Sequence, residues 1–281
     1  MRSALTVVLW LAATVALAVA IPAGWAQFNI VDESGYAALA QRAATDPGLQ
    51  SAAADELTNR AMALITAQRG GPQPVDSEQV HSAAAAFTAG PSFPALFAQA
   101  NRAAHRWLFA ADPSGGSWVI DVAPMLKDAS IQPILTEHNV KVPATLTVPL
   151  TASVPHSLHQ GQLSPLSDWG PLLSLGAAAL SGFCALLTLA AARRRGKALS
   201  SLGVSALLVA AGGWAGIEIG GGRINNALNH ATGDVRRIAE AMVGHAEAGL
   251  HQWLDVTLLA GVGLVGLGVI VAVLGGLAKK S

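Results

Sequence analysis

Four stretches of uninterrupted apolar sequence, residues 4–23, 171–192, 199–219 and 254–278, decide most of what this chain can fold into. A helix needs about 20 residues to cross the roughly 30 Å hydrocarbon core of a bilayer. Each stretch is of that length and none has a charge in its middle. The composition agrees: 52% of the 281 residues are apolar, 12% are charged and the mean hydropathy is +0.45. An ordinary soluble domain carries about twice that share of charge. So little charge beside so much apolar sequence excludes a disordered chain, and the lone Cys184 excludes a disulfide scaffold. With 17 basic and 17 acidic residues there is no cationic excess to meet a nucleic acid. The expected fold class is a membrane α-helical protein with four transmembrane helices.

The flanks predict an orientation. Arg2 precedes the first stretch, Arg193, Arg194, Arg195 and Lys197 join the second to the third, and Lys279 and Lys280 follow the fourth. These short flanks hold seven basic residues and no acid, so the positive-inside bias assigns all three to the cytoplasm, with both termini there. The other two connections then face outward. Residues 28–167 carry 11 acids and 7 bases, and residues 220–253 are neutral. Trp25, Trp169, Trp253 and Trp214 stand at or near the four outer helix ends, as an interfacial aromatic belt would. The expected location is the plasma membrane. Almost no sequence is left for the cytoplasm, so kinase, nucleotide-binding and DNA-binding domains have no place there.

Residues 1–26 read as a signal-anchor. Gly24 and Ala26 could serve a signal peptidase, but one Arg ahead of about 18 apolar residues fits an uncleaved anchor better. Residues 27–167 are long enough for one domain. Helices are expected at 34–44, from Asp46-Pro47 to Gly70, from Ser77 to Gly90, and at 93–110. Period-2 alternation then predicts strands at 117–122 and 144–152, with a broken helix between them. That makes a small extracytoplasmic α+β domain. Residues 168–281 form a three-span domain whose segment 220–253 is an outward helical hairpin. In it Ile224, Leu228, Ala231, Val235, Ile238 and Met242 make a heptad seam, and Gly244 is expected to turn the chain into the fourth span. The seam is either a coiled-coil partner surface or the face that packs on the first outer domain or on its own return helix.

Candidate sites are few. Gly212, Gly216 and Gly220 on the third span, and Gly261, Gly268 and Gly275 on the fourth, are helix-packing glycines that let backbones approach. Packing within one chain is expected, with self-association as the rival. Glu218 sits near the outer end of its span, and an interfacial ion pair with Arg223 is its expected use, rather than an ion pathway. His156 with His159, and His245 with Glu247 and His251, fall short of a supported zinc ligand set. No nucleophile stands beside an evident base, and no phosphate loop or dinucleotide fingerprint appears. No catalytic residue, cofactor or metal is therefore predicted. The most specific polar cluster is Asn101, Arg102 and His105 in the fourth outer helix, with Asp121 on the following strand. Asn101 and His105 share a face. They can hold a ligand, or tie the helix to the β tail through Asp121, and the second use is expected.

These residues also carry a resemblance. The chain shows Leu39 to Gln50 with its Asp-Pro-Gly-Leu-Gln end, Asp55 to Thr58, the Ala100 to His105 element Ala-Asn-Arg-Ala-Ala-His, and Val119 to Val122, in that order. In this arrangement it resembles a family of uncharacterised actinobacterial integral membrane proteins with a signal-anchor, an outer domain and three further spans. The Asn-Arg-Ala-Ala-His element is the most specific part. The resemblance implies a location and an architecture, and it implies no reaction.

The expected function is a non-enzymatic cell-envelope protein that presents its outer domain as an accessory or scaffold of an assembly or export system. Its expected partners are membrane lipids and another envelope membrane protein, or a second copy of itself. The alternative is a lipid-handling or transporter-type protein with a cavity between the spans and the outer domain.

Overall fold

The computed structural model describes residues 2–69, 76–109, 119–121, 123–129, 132, 136, 144–145, 147–149, 160–192, 194–228 and 233–277. The chain divides into two compact units. A membrane unit comprises Met1–Val31, Ser167–Arg223 and Glu247–Ser281, and a helical unit comprises Asp32–Leu166 and Ile224–Ala246.

Four long helices build the membrane unit: α1 (Arg2–Ala26), α7 (Ser164–Ala191), α8 (Arg195–Leu228) and α9 (Gly233–Leu277). A single π turn, Gln27–Val31, continues α1. All four are long and apolar enough to cross a membrane, and the chain is a multi-pass membrane protein. Most of their buried positions are small or hydroxyl-bearing, such as Ala13, Ala16 and Ala20 on α1, Ser174, Ser181, Cys184 and Thr188 on α7, and Ser205, Ala206 and Ala210 on α8, with Trp25, Val209 and Leu254 as larger buried side chains. Leu172, Leu180, Phe183 and Leu186 of α7 point outward. Lipid tails are as apolar as leucine, so burying leucine between spans gains little, and close backbone approach decides the contact instead.

Hydrogen bonds then tie the spans together. The Trp10 indole donates to the Ser201 carbonyl at 2.9 Å, and the Thr14 and Ser205 hydroxyls meet at 2.7 Å. Ser181 donates to the carbonyl of Ala13 at 3.2 Å. Helix α1 is thereby bonded to both α7 and α8. The α8–α9 pair is antiparallel and closes on glycine. A Cβ on Gly203 would lie 2.7 Å from the Gly261 oxygen, and one on Gly196 would lie 2.6 Å from the Gly268 oxygen. Of the expected belt, Trp169 and Trp214 are exposed and Trp253 is partly so. Trp25 is not part of it: it is buried against Gly249, and exposed Phe28 stands beside Trp253 instead.

The helical unit is built of α2 (Glu33–Ala43), α3 (Pro47–Arg69), α4 (Ser77–Thr88), α5 (Phe93–Phe109), the single-turn α6 (Ala123–Leu126) and the start of α9. Asp32, Asp46 and Asp76 each accept backbone N–H groups at the helix starts that follow them, satisfying donors that the helix itself leaves free. The core gathers Ala43, Ala44, Leu49, Ala53, Phe87 and Phe93, with Leu57, Leu96, Phe97 and Met125 against it. Phe87 meets Phe93 edge to face at 5.7 Å. Burying a ring of this size stabilises a fold by about 3 kcal/mol. Ile238, Ala241 and Met242 of α9 pack on the same cluster. Arg237 adds an ion pair to Asp55 at 2.6 Å, and Asn59 donates to Asp234 at 3.0 Å.

Three expectations need correction here. The outer domain is not α+β. Its described residues are helical apart from two three-residue strands, β1 (Val119–Asp121) and β2 (Thr147–Pro149), which pair antiparallel with Ile120 opposite Val148. Three residue pairs make no sheet layer, and helices form the described core. The alternation at 117–122 and 144–152 was a real local signal, but Pro149 and the short run leave nothing to propagate it. Second, Gly244 does not turn the chain. It lies inside the unbroken α9, which starts at Gly233 with φ +46°. A lone glycine within a strongly periodic segment weakens a helix by only about 1 kcal/mol. Third, the heptad seam does not act as one stripe: Ile238 and Met242 are packed, whereas Ile224 and Val235 are exposed. Leu228 ends α8, and Ala231 lies outside the described residues.

Candidate functional site

Helix α5 brings the predicted polar residues onto the N-terminal half of α2. Asn101 and His105, one turn apart, face Tyr36. The Tyr36 hydroxyl donates to Asn101 Oδ1 at 3.4 Å, while Asn101 Nδ2 donates to the carbonyl of Phe97 at 2.9 Å. The imidazole of His105 is buried. It stacks on Phe109 with centroids 4.1 Å apart and tilts against Tyr36 at 5.4 Å. Burial pushes the Tyr36 phenol above its ordinary value of 10.0, since a phenolate there would lack water.

One turn around α5, Arg102 and Arg106 converge on Glu33. Arg106 grips Glu33 Oε1 with Nε at 3.0 Å and Nη2 at 2.8 Å. Arg102 Nε stands 4.0 Å from the same oxygen, too far for a hydrogen bond. Hydrogen bonding from Arg106, more than its charge, holds the Glu33 carboxyl below the usual 4.5. Asp32 is also lowered, chiefly by the Ser34 hydroxyl and the Gly35 amide that it caps.

Asn101, Arg102 and His105 therefore do form a cluster, and α2 is one of its partners. The Asp121 side chain lies outside the described residues. Sequence reading missed Glu33, Tyr36 and Arg106. Arg102 and Arg106 repeat the four-residue spacing of Asn101 and His105, a usable signal. Tyr36 counts as apolar beside Leu39 and Ala40 when its helix face is read from sequence, and that hides its hydroxyl.

The glycine predictions divide. Gly261 and Gly268 sit in the α8–α9 seam, opposite Gly203 and Gly196. Gly212, Gly216, Gly220 and Gly275 meet nothing within 4 Å of where a Cβ would be, among the described residues. The seven-residue step from Gly196 to Gly203, matching that from Gly261 to Gly268, was the signal to use. Glu218 and Arg223 are both exposed, and no ion pair joins them among the described residues. Five positions apart on a helix, they point to different sides, where three or four would align them.

Of the two histidine groups, only His245 with Glu247 and His251 lies among the described residues. His156 and His159 lie outside the described residues. His245 Nδ1 is 3.0 Å from its own helix's Ala241 carbonyl, while His251 packs on Trp214 at 4.1 Å. No group of three metal-ligating side chains occurs among the described residues. Chemically, the α2–α5 cluster presents half-exposed guanidinium donors beside a buried, hydrogen-bonded aromatic support. That arrangement suits binding an anion. Comparison with known protein families, curated proteins and solved structures finds no match to this chain.

Proposed function

We propose that this chain is a non-enzymatic protein of a bacterial plasma membrane, with both termini cytoplasmic, whose helical unit faces outward. There it serves as an accessory or scaffold of an envelope assembly or export system. One observation carries the reading. The helical unit's core joins residues between the first and second spans, such as Phe87 and Phe93, to Ile238 and Met242 between the third and fourth. Two such segments share a core only when they lie on one face of the membrane. The N-terminus, the 192–195 link and the C-terminus then share the other face, and these flanks are basic without an acid. In this orientation the polar residues between the spans face outward, which supports work done outside or within the membrane. The resemblance carried by the Asn-Arg-Ala-Ala-His helix agrees with an envelope location and with a bacterial source.

In this reading α1 is a retained anchor. Its bonds to Ser181, Ser201 and Ser205 support that, because removing it would leave polar groups unmatched in hydrocarbon. The test is co-purification of the tagged full chain in mild detergent. A stoichiometric envelope protein supports the scaffold reading and names the pathway, whereas a homogeneous protein carrying lipid alone overturns it. Cysteines placed at positions 90 and 230 test the orientation. Labelling of either from the cytoplasmic side sinks it.

A further inference from the structure

We propose that the Ala26–Gln27 bond is a latent signal-peptidase site, closed by the packing of later spans against it. Gly24 and Ala26 stand at −3 and −1 of this bond, the small-residue spacing that such a protease takes, behind an apolar run with Arg2 ahead of it. Cleavage adds water across the amide: hydroxide joins the Ala26 carbonyl carbon, and a proton joins the Gln27 nitrogen as it leaves as a new N-terminus. Every residue that closes the bond belongs to the membrane unit.

The backbone closes it first. Helix α1 runs to Ala26 and the π turn Gln27–Val31 follows without a break, so the bond lies inside continuous helix. Asn29 Nδ2 donates to the Trp25 carbonyl beside it at 2.9 Å. A protease reaches such a bond only after the turn opens locally. Side chains then hold the turn shut. Trp25 is buried against Gly249 of α9, where a Cβ would lie 3.3 Å from the indole Nε1. Gly24 and Phe28 both meet Trp253, one helical turn further along α9. On the C-terminal side of the bond, Gln27 Oε1 is buried against Gly170 of α7, where a Cβ would collide with it. That oxygen has no hydrogen-bond donor among the described residues. A buried acceptor left unmatched is a cost, so the contacts at this junction outweigh it. Helix α7 begins at Ser164 and α9 at Gly233, and neither can reach the motif until more than half of the chain has been made. Chains whose spans assemble keep α1, and chains whose spans fail expose the bond and lose the anchor. This rests on the outward orientation of the motif and on α1 being retained in the assembled protein, and not on the scaffold role.

The test is intact-mass measurement and N-terminal sequencing of the full chain, tagged at its C-terminus and purified from the membranes of a bacterial host. The unaltered chain is expected to keep α1. Trp25→Ala leaves both small motif residues in place and removes the side chain that α9 holds. It is expected to raise the fraction of chains beginning at Gln27 about tenfold over the unaltered chain, an opening made easier by about 1.4 kcal/mol. Gly249→Leu leaves α1 unaltered and drives a side chain at Trp25, and it should do the same. Adding Ala26→Phe to either variant should abolish the product, because the protease takes a small residue there. Phe87→Ala weakens the helical unit instead and should leave α1 in place. If the unaltered chain keeps α1 and neither Trp25→Ala nor Gly249→Leu yields the product, the proposal alone is overturned. A product that survives Ala26→Phe, or that Phe87→Ala yields as well, also overturns it. An unaltered chain that already begins at Gln27 overturns the retained anchor, and the guard with it.

Discussion

The two units solve packing in opposite ways. In the helical unit the largest side chains are innermost: Phe87, Leu49 and Phe93 are almost wholly buried, and charged residues ring them. In the membrane unit most large side chains point outward, although Trp25 and Leu254 are buried, and alanine, glycine, serine and threonine fill most of the contacts. The difference is the solvent. Water drives apolar area inward at about 25 cal/mol per Å², whereas lipid offers no such drive and leaves van der Waals contact and hydrogen bonds to choose the interface. An amphipathic pattern therefore has to be read with its sign reversed on either side of the membrane surface.

The sharpest test of that comparison exchanges the same residue type in both units. Phe87→Ala should destabilise the helical unit by about 4 kcal/mol, as deletion of a fully buried ring does. Phe183→Ala, on a lipid-facing surface of α7, should cost less than about 0.5 kcal/mol. Thermal unfolding in one detergent compares them. Similar losses would mean that Phe183 is a protein contact and that the reversed-sign reading of α7 is wrong.

Next in size is the glycine seam. Leucine at Gly268 would drive a side chain into Ser200 and the Gly196 carbonyl, and leucine at Gly203 into Val265 and the Gly261 carbonyl. Each should destabilise the membrane unit by about 3 kcal/mol, the upper range for overpacking, because backbone must move. Gly212→Leu and Gly216→Leu, which meet open space, should leave the melting temperature of the detergent-solubilised protein within a degree or two. Loss of folding in the second pair would show that this stripe, too, is a packing face.

How far the sequence could be read follows the same division. The spans were legible because twenty apolar residues without charge have few alternatives. The helices α2 to α5 were legible from Asp caps and Gly-Pro stops. Which glycines would pack was not, since Gly212-Gly216-Gly220 and Gly196-Gly203 are equally good local patterns and only the partner helix decides between them. The α+β assignment failed for a related reason. Alternation around Ile120 and Val148 is a correct statement about six residues, and it says nothing about whether further strands exist to join them. The polar cluster was half legible: α5 displayed its own Asn101, Arg102 and His105, but Tyr36 lies 65 positions before Asn101 and Glu33 73 before Arg106, a pairing no spacing rule predicts.

A smaller effect probes the hydrogen bonds within the membrane unit. Thr14→Val and Ser205→Ala each remove one end of the 2.7 Å hydroxyl contact between α1 and α8. Bonds of this kind between spans contribute about 0.6 kcal/mol on average, since a separated helix also finds partners. A double-mutant cycle on unfolding should return a coupling of that order. A coupling indistinguishable from zero would remove the hydroxyl pair from the list of contacts that hold α1, leaving Trp10 and Ser181.

The smallest effect lies at the α2–α5 contact and depends on pH. Glu33 has its carboxyl lowered from 4.5 by Arg106. A carboxyl more acidic in the folded than in the unfolded chain stabilises the fold where it is ionised in both. That contribution is therefore whole above about pH 4.5 and is lost as the pH falls through the folded value. Because the Glu33 side chain is 37% exposed, solvent screening limits it to about 0.5 kcal/mol. Asp32, lowered from 3.8, adds a loss of the same sign at slightly lower pH. Tyr36 acts in the opposite sense: raised from 10.0 by burial, it favours the folded state below pH 10, and that preference fades above it. Melting curves from pH 3 to 7 should thus fall more steeply at the acid end for the unaltered chain than for Glu33→Gln, with the two converging at low pH. Parallel curves would mean that Arg106 and Glu33 contribute nothing across this contact, and that α5 is held to α2 by Tyr36, Asn101 and His105 alone.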